Sequence, residues 1–391
     1  MGCDLRGEMV RAIGIDPGTV SFDVCGLEGD RPFLDTIIPS AEVAANPRVL
    51  VDLLQSAAPV DMIVGPSGYG LPWVSAQDLR PQDMDLLVLS EKRDRGRAPI
   101  VGGMRRMLRL LKESGLPLYF APAVIHLPTV PKHRKANRID MGTADKLCAV
   151  ALGIYDQARH LNVAYEETSF IYAELGGAFT AMIAVKGGKV VDGLGGTSGS
   201  LGYLSLGAVD GELAYLLGSF HKELLCSGGV AYIAGQPDLS PKDLVAPALT
   251  ARLSLRPELK PRGSLKSNDR SRLAWEAFME GLVKSVAAEM TVVPSPREIL
   301  ISGRLCRIPE IRQEVIRRLS PFAPVRRVKG FAQVAKEAAQ GAALIAEGLA
   351  GGMYERLVEV MELCGASGTV LDHLYVAGAE ALRQRYLRSE T

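Results

Sequence analysis

The sequence predicts an α/β fold in which one small unit is built twice around a shared cleft. Three observations lead there. Strand-like and helix-like segments alternate along the first third of the chain, the pattern of α/β proteins. A short apolar strand ends in an acid and a glycine turn at Ile13-Gly14-Ile15-Asp16-Pro17-Gly18-Thr19, and a second strand returns through Phe22 to Leu27. The same arrangement recurs at Ala173-Glu174-Leu175-Gly176-Gly177-Ala178-Phe179-Thr180, with a return strand running to Val185.

In the first hairpin Ile13 and Ile15 alternate with small residues, and Asp16 is left at the mouth of the turn. Gly18 lets the backbone approach a ligand, while Thr19 and Ser21 add hydroxyls beside exposed amides. An acid followed by Gly-Thr suits a magnesium–phosphate: the carboxylate holds the ion's water shell and turn N–H groups hold oxygens. Asp-Pro-Gly also turns well where no ligand binds. A helical pattern follows over 43–56, then a buried strand at 61–64 that ends in Gly65-Pro66-Ser67-Gly68. A charged patch at 91–97 precedes a helix over 101–114, and 116–120 reads as a strand.

The basic segment 131–142 runs into a helix over 143–155, which Asp140 or Thr143 can cap and whose first turn carries Asp145 and Lys146. An acid in a first turn also simply complements the helix dipole. After the second acid–glycine hairpin, Lys186-Gly187-Gly188-Lys189 makes a further turn. The glycine-rich stretch 193–202 matches neither a Walker loop nor a dinucleotide loop. It reads as a flexible connection or as a loop that moves over a substrate. A Pro- and Lys-rich stretch at 235–272 reads as a partly ordered insertion, followed by a helix over 273–289. A strand near 298–301 ends in Ser302-Gly303, where backbone can approach a flat ring closely. The alanine-rich run 332–348 predicts a helix with small faces made for close packing.

The 391 residues, 47% hydrophobic and 23% charged, fit a globular protein of two domains or one large one. A net charge of +1 gives no electrostatic case for nucleic acid or a membrane surface as partner. Six scattered cysteines without a Cys-x-x-Cys pair argue for a reducing compartment and against zinc or iron–sulfur sites. No apolar run reaches the ~18 residues of a membrane span. Residues 1–10 lack the apolar core of a signal peptide, and Met9 is an alternative start; a cytoplasmic protein is expected.

Taken in order, these pieces resemble the acetate and sugar kinase, heat-shock chaperone and actin superfamily. The resemblance implies two similar ribonuclease H-like (actin-like ATPase) domains with a nucleotide cleft between them. It implies lobes at 9–160 and 168–350, the second carrying the insertion at about 235–272, with a helical tail at 351–391. Asp16-Pro17-Gly18-Thr19 matches the first phosphate motif and Glu174 to Thr180 the second, while Ile301-Ser302-Gly303-Arg304 matches the adenosine motif. ATP would then meet Gly18, Thr19, Gly176, Gly177, Thr180, Ser302 and Gly303, and Mg would be held through water by Asp16 and Glu174. Glu174 stands where an Asp is usual, and Ala178 replaces a glycine of the phosphate loop.

More narrowly, Asn137-Arg138-Ile139-Asp140-Met141-Gly142-Thr143-Ala144-Asp145-Lys146 is similar to a family described as predicted butyrate kinases, DUF1464. That resemblance implies an ATP- and Mg-dependent kinase of a short-chain, butyrate-like carboxylate. Arg134, Arg138 or Lys146 would hold the acid and the developing charge. Asp145 is also similar in place to the acid that activates a hydroxyl in type III pantothenate kinases, so a pantothenate-like or sugar-like acceptor is the second reading. A non-catalytic, nucleotide-switched binding protein is the third. Dehydratase activators and carbamoyl-transfer enzymes are set aside, because the paired cysteines and the histidine metal pair they need are missing. The expected partner is a small molecule, and a homodimer stays open.

Overall fold

The computed structural model describes residues 9–18, 20–66, 68–89, 99–250 and 267–387. Thr19, the charged patch at 91–97 and the stretch 251–266 of the expected insertion lie outside the described residues. The chain divides into two compact units. The first comprises Met1–Ser169, Val185–Asp192 and Val328–Thr391; the second comprises Phe170–Ala184 and Gly193–Arg327.

The first unit is built on a six-stranded sheet of β1 (Arg11–Pro17), β2 (Ser21–Glu28), β3 (Arg31–Pro39), β4 (Met62–Pro66), β5 (Val74–Ser75) and β6 (Leu118–Ala121). Its order is β3-β2-β1-β4-β6-β5. β1 to β3 form an antiparallel meander, whereas β4 runs parallel to β1 and β6 parallel to β4. Ile13, Ile15, Val24, Leu27, Ile63 and Val64 fill its core.

The helix Glu337–Leu349 packs on β1, β2 and β4 and on the helix Ala144–Leu161. Sequence boundaries grouped this segment with the second lobe, but its small face has its partner in the first unit. A methyl group on Gly14 would come 2.1 Å from the Ala339 carbonyl and 2.2 Å from the Ala343 nitrogen. One on Gly341 would come 1.7 Å from the Cys148 carbonyl. Backbone meets backbone at both places, which only glycine permits. The carboxylate of Asp35 on β3 ties down the approach to this helix by accepting from the N–H groups of Gln333, Val334 and Ala335 at 2.7 to 3.2 Å.

The second sheet contains β7 (Ser169–Leu175), β8 (Thr180–Lys186), β9 (Lys189–Leu194), β10 (Glu298–Ser302) and β11 (Val325–Arg327), in the order β11-β10-β7-β8-β9. β10 is parallel to both β7 and β11. The helix Ser267–Met290 buries Trp275, Phe278, Met279 and Leu282 in this unit's core. The glycine-rich stretch is a defined structure rather than a free connection. The N–H groups of Leu204 and Ser205 both donate to the Ala178 carbonyl at 3.1 Å, and Gly202 abuts that same carbonyl. Among the described residues no helix is long and apolar enough to cross a membrane.

Candidate functional site

The two acid–glycine turns have the same internal geometry. In the first unit the Gly18 N–H donates to the Ser21 carbonyl at 3.0 Å; in the second the Gly176 N–H donates to the Phe179 carbonyl at 2.9 Å. A methyl group on either glycine would stand 2.8 Å from the carbonyl it bonds. Each glycine therefore closes its turn, and its N–H is spent inside the hairpin. Asp16 and Glu174 occupy the same place, the sixth residue of a strand that leads into the turn.

Asp16 lies opposite Asp23 in the β1–β2 ladder. Both are buried, at 7% and 1% exposure, and two facing carboxylates need a cation. Lys336, the N-cap residue of the Glu337–Leu349 helix, supplies it. Its ammonium is 2.5 Å from Asp23 and 3.9 Å from Asp16. A methyl on Gly18 would come 2.9 Å from that ammonium, so the lysine lies against the turn. Asp23 also accepts from the Lys336 backbone N–H at 3.0 Å and from the Ser21 hydroxyl at 2.9 Å. The Asp16 carboxylate accepts no hydrogen bond among the described residues. Burial, with the negative charge of Asp145 next, pushes its carboxyl up to about 7 against the pull of Lys336 and Lys146.

Asp145 sits in the first turn of the Ala144–Leu161 helix. Thr143 is the N-cap residue, yet its hydroxyl donates to the Asp145 carboxylate instead of capping the backbone. Asp140 accepts from the Gly142 N–H at 3.1 Å. Burial opposes ionisation of Asp145, but the Lys146 ammonium at 2.6 Å and the Thr143 hydroxyl outweigh it and hold the carboxyl below its ordinary range. Asp16 and Asp145 thus have opposite tendencies: one retains a proton near neutrality, the other stays ionised. Of the basic segment, Arg134 is spent on the Val191 carbonyl and Asp192, and buried Lys135 on the Leu127 carbonyl. Arg138 is exposed and makes no side-chain hydrogen bond or ion pair among the described residues.

In the second unit Ser302 stands beside Glu174 in the β10–β7 ladder. The hydroxyls of Ser302 and Thr180 are buried without a partner. Gly303 adopts φ +90°, and a methyl there would come 2.3 Å from the Leu175 carbonyl, so the strand can leave the sheet only through glycine. Beyond Gly176, the N–H groups of Gly177 and Ala178 donate to nothing among the described residues. The Glu174 carboxylate lies beside this turn, 3.7 Å from where a Gly176 methyl would be.

The sequence singles out Asp16, Asp145, Lys146 and both turns but not Asp23 and Lys336, which the fold places beside Asp16. Asp23 was readable as the ladder partner of Asp16 once the hairpin register was set. Lys336 is 320 residues away in the chain, and no local pattern connects it to the turn. A magnesium ion held through water fits what is present in the first unit: a buried carboxylate with no hydrogen-bond donor and a raised proton affinity. A direct cage does not fit, since no group of three His, Cys, Asp or Glu side chains among the described residues can hold a metal. In the second unit the orphaned Ser302 and Thr180 hydroxyls and the free Gly177 and Ala178 amides fit a polar, anionic ligand.

A family model described as "Protein of unknown function (DUF1464)" matches residues 14–376. No curated protein matches the chain. Among solved structures, an acetate kinase from Entamoeba histolytica is 10% identical, with 79% of this chain and 86% of that one covered and a TM-score of 0.55. An acetate kinase from Porphyromonas gingivalis is 14% identical, with 85% and 98% covered and a TM-score of 0.55. A propionate kinase from Francisella tularensis is 13% identical, with 85% and 99% covered and a TM-score of 0.56. The fold is thus that of the two-domain, actin-like ATPase kinases, as the order of motifs led one to expect.

Proposed function

The chain belongs to the family described as protein of unknown function DUF1464, and we propose that it transfers a phosphoryl group from ATP to a short-chain, butyrate-like carboxylic acid, forming an acyl phosphate. The observation that carries this reading is the acid–glycine turn built twice, Asp16-Pro17-Gly18 and Glu174-Leu175-Gly176, each closed by the same glycine hydrogen bond. Phosphoryl transfer asks little covalent chemistry of a protein; it asks for positioned oxygens and compensating charge. Gly177 and Ala178 offer unpaired N–H donors for such oxygens. Asp16 would hold magnesium through its water shell, and the ion would supply charge to the phosphate oxygens.

The state of Asp145 supports an acid as the acceptor. A hydroxyl must lose its proton as it attacks, and the best base has a pKa near the working pH. Asp145 is held well ionised by Lys146 and Thr143, which makes it a weak base. A carboxylic acid is already ionised at neutral pH and needs none. Arg138, exposed and without an ion-pair partner among the described residues, is available to take the acceptor's carboxylate, and Arg grips carboxylates in a two-pronged way.

The test is ATP-dependent ADP release across short fatty acids, hydroxy acids and pantothenate. Fastest release with a short fatty acid is the expected result. Release only with hydroxyl compounds would assign Asp145 the role of base. Nucleotide binding without release for any acceptor would point to a nucleotide-switched binding protein.

A further inference from the structure

We infer that Arg304 clamps the polyphosphate of the nucleotide, an assignment that rests on the nucleotide reading above. Gly303, with its φ of +90°, turns the chain sharply at the end of β10 and packs its α-carbon against the Leu175 carbonyl. The next residue, Arg304, is thereby carried to the second acid–glycine turn. A methyl group on Gly177 would stand 3.7 Å from Arg304 Cδ and 4.0 Å from its Nε. The root of the guanidinium therefore lies against Gly177, the residue whose N–H, with that of Ala178, has no acceptor.

Arg304 is exposed, and its side chain forms no hydrogen bond or ion pair among the described residues. Of the other arginines of the same unit, Arg317 and Arg318 are held by Glu314 and Arg326 by Glu298. Arg297 and Arg307 are exposed without a side-chain partner among the described residues. What sets Arg304 apart is its place against the Gly177 turn. Two backbone donors beside a planar, five-donor cation make a cradle for a tetrahedral oxyanion. The Glu174 carboxylate on the same turn disfavours a bare anion and favours one that arrives with a divalent cation, as a magnesium–nucleotide does.

The experiment is calorimetric titration of the parent, Arg304→Ala and Arg304→Lys with MgADP and with adenosine. Loss of one charge-assisted contact should weaken MgADP about ten- to hundredfold in Arg304→Ala. Arg304→Lys should recover part of that loss, because it keeps the charge but not the fork. Adenosine should bind all three alike. Unchanged MgADP affinity in Arg304→Ala, or an equal loss for adenosine, would overturn the assignment while leaving the nucleotide reading intact. A parent protein that binds neither ligand would overturn both.

Discussion

Asp23 holds Lys336 twice, accepting from its backbone N–H at 3.0 Å and from its ammonium at 2.5 Å. One carboxylate thereby fixes the start of the Glu337–Leu349 helix and sets a positive charge against the Asp16 turn. Lys336→Met should strand Asp23, which is 1% exposed, and cost about 3 kcal/mol, the lower end for a broken buried ion pair. Asp23→Asn combined with Lys336→Met should cost less than the sum of the two single changes. Urea melts of the three variants check this, and strict additivity would contradict the coupling.

The raised pKa of Asp16 has a consequence for stability in magnesium-free buffer. Its carboxyl titrates near 7 when folded and near its ordinary 3.8 when unfolded, so the folded chain binds the proton more tightly. Stability should therefore fall as pH rises from about 4 to 7, with the full cost present above 7. Asp16→Asn should flatten that slope and be more stable than the parent at pH 8. Asp16→Ala should remain folded and lose ATP turnover. Denaturation at pH 5 and pH 8 measures the first effect and ADP release the second.

Mg-ATP should raise the melting temperature of the parent, since a ligand that binds only the native state adds about 2.7 kcal/mol at a hundredfold excess over its dissociation constant. The magnesium-dependent part of that rise should vanish in Asp16→Ala. A scan with ATP alone, with magnesium alone and with both separates the contributions. No shift under saturating Mg-ATP would contradict nucleotide binding.

Gly341→Ala should destabilise the first unit by about 3 kcal/mol or more, because the added methyl would lie 1.7 Å from the Cys148 carbonyl and both partners are backbone. Ala346→Gly, on the same helix, should cost less, about 2 kcal/mol, from helix propensity and the loss of one buried methyl group. Thermal melts of the two variants make the comparison.

Much of this arrangement was legible in the sequence because it is local. The acid–glycine hairpins declare themselves through strand alternation and turn residues, and the Ala144–Leu161 helix through apolar spacing. The small face of the Glu337–Leu349 helix announced close packing, but composition could not say on which strands it would lie. That Gly14 is its counterpart is a tertiary fact. The same limit hid Lys336, whose role depends on meeting Asp23 across the fold. The glycine-rich stretch was ambiguous for a different reason: glycine permits both mobility and close approach, and here Gly202 and Gly196 serve close approach to Ala178 and Phe179.

The most direct test of the central claim is chemical trapping of the product. With ATP, magnesium, a short carboxylic acid and hydroxylamine, the account predicts a hydroxamate formed in step with ADP. It also predicts that Arg138→Ala lowers the rate about 100-fold, the scale for removing one charge-stabilising group, while Asp145→Ala matters less. ADP release without hydroxamate from any acid, with Asp145 indispensable and Arg138 dispensable, would contradict it.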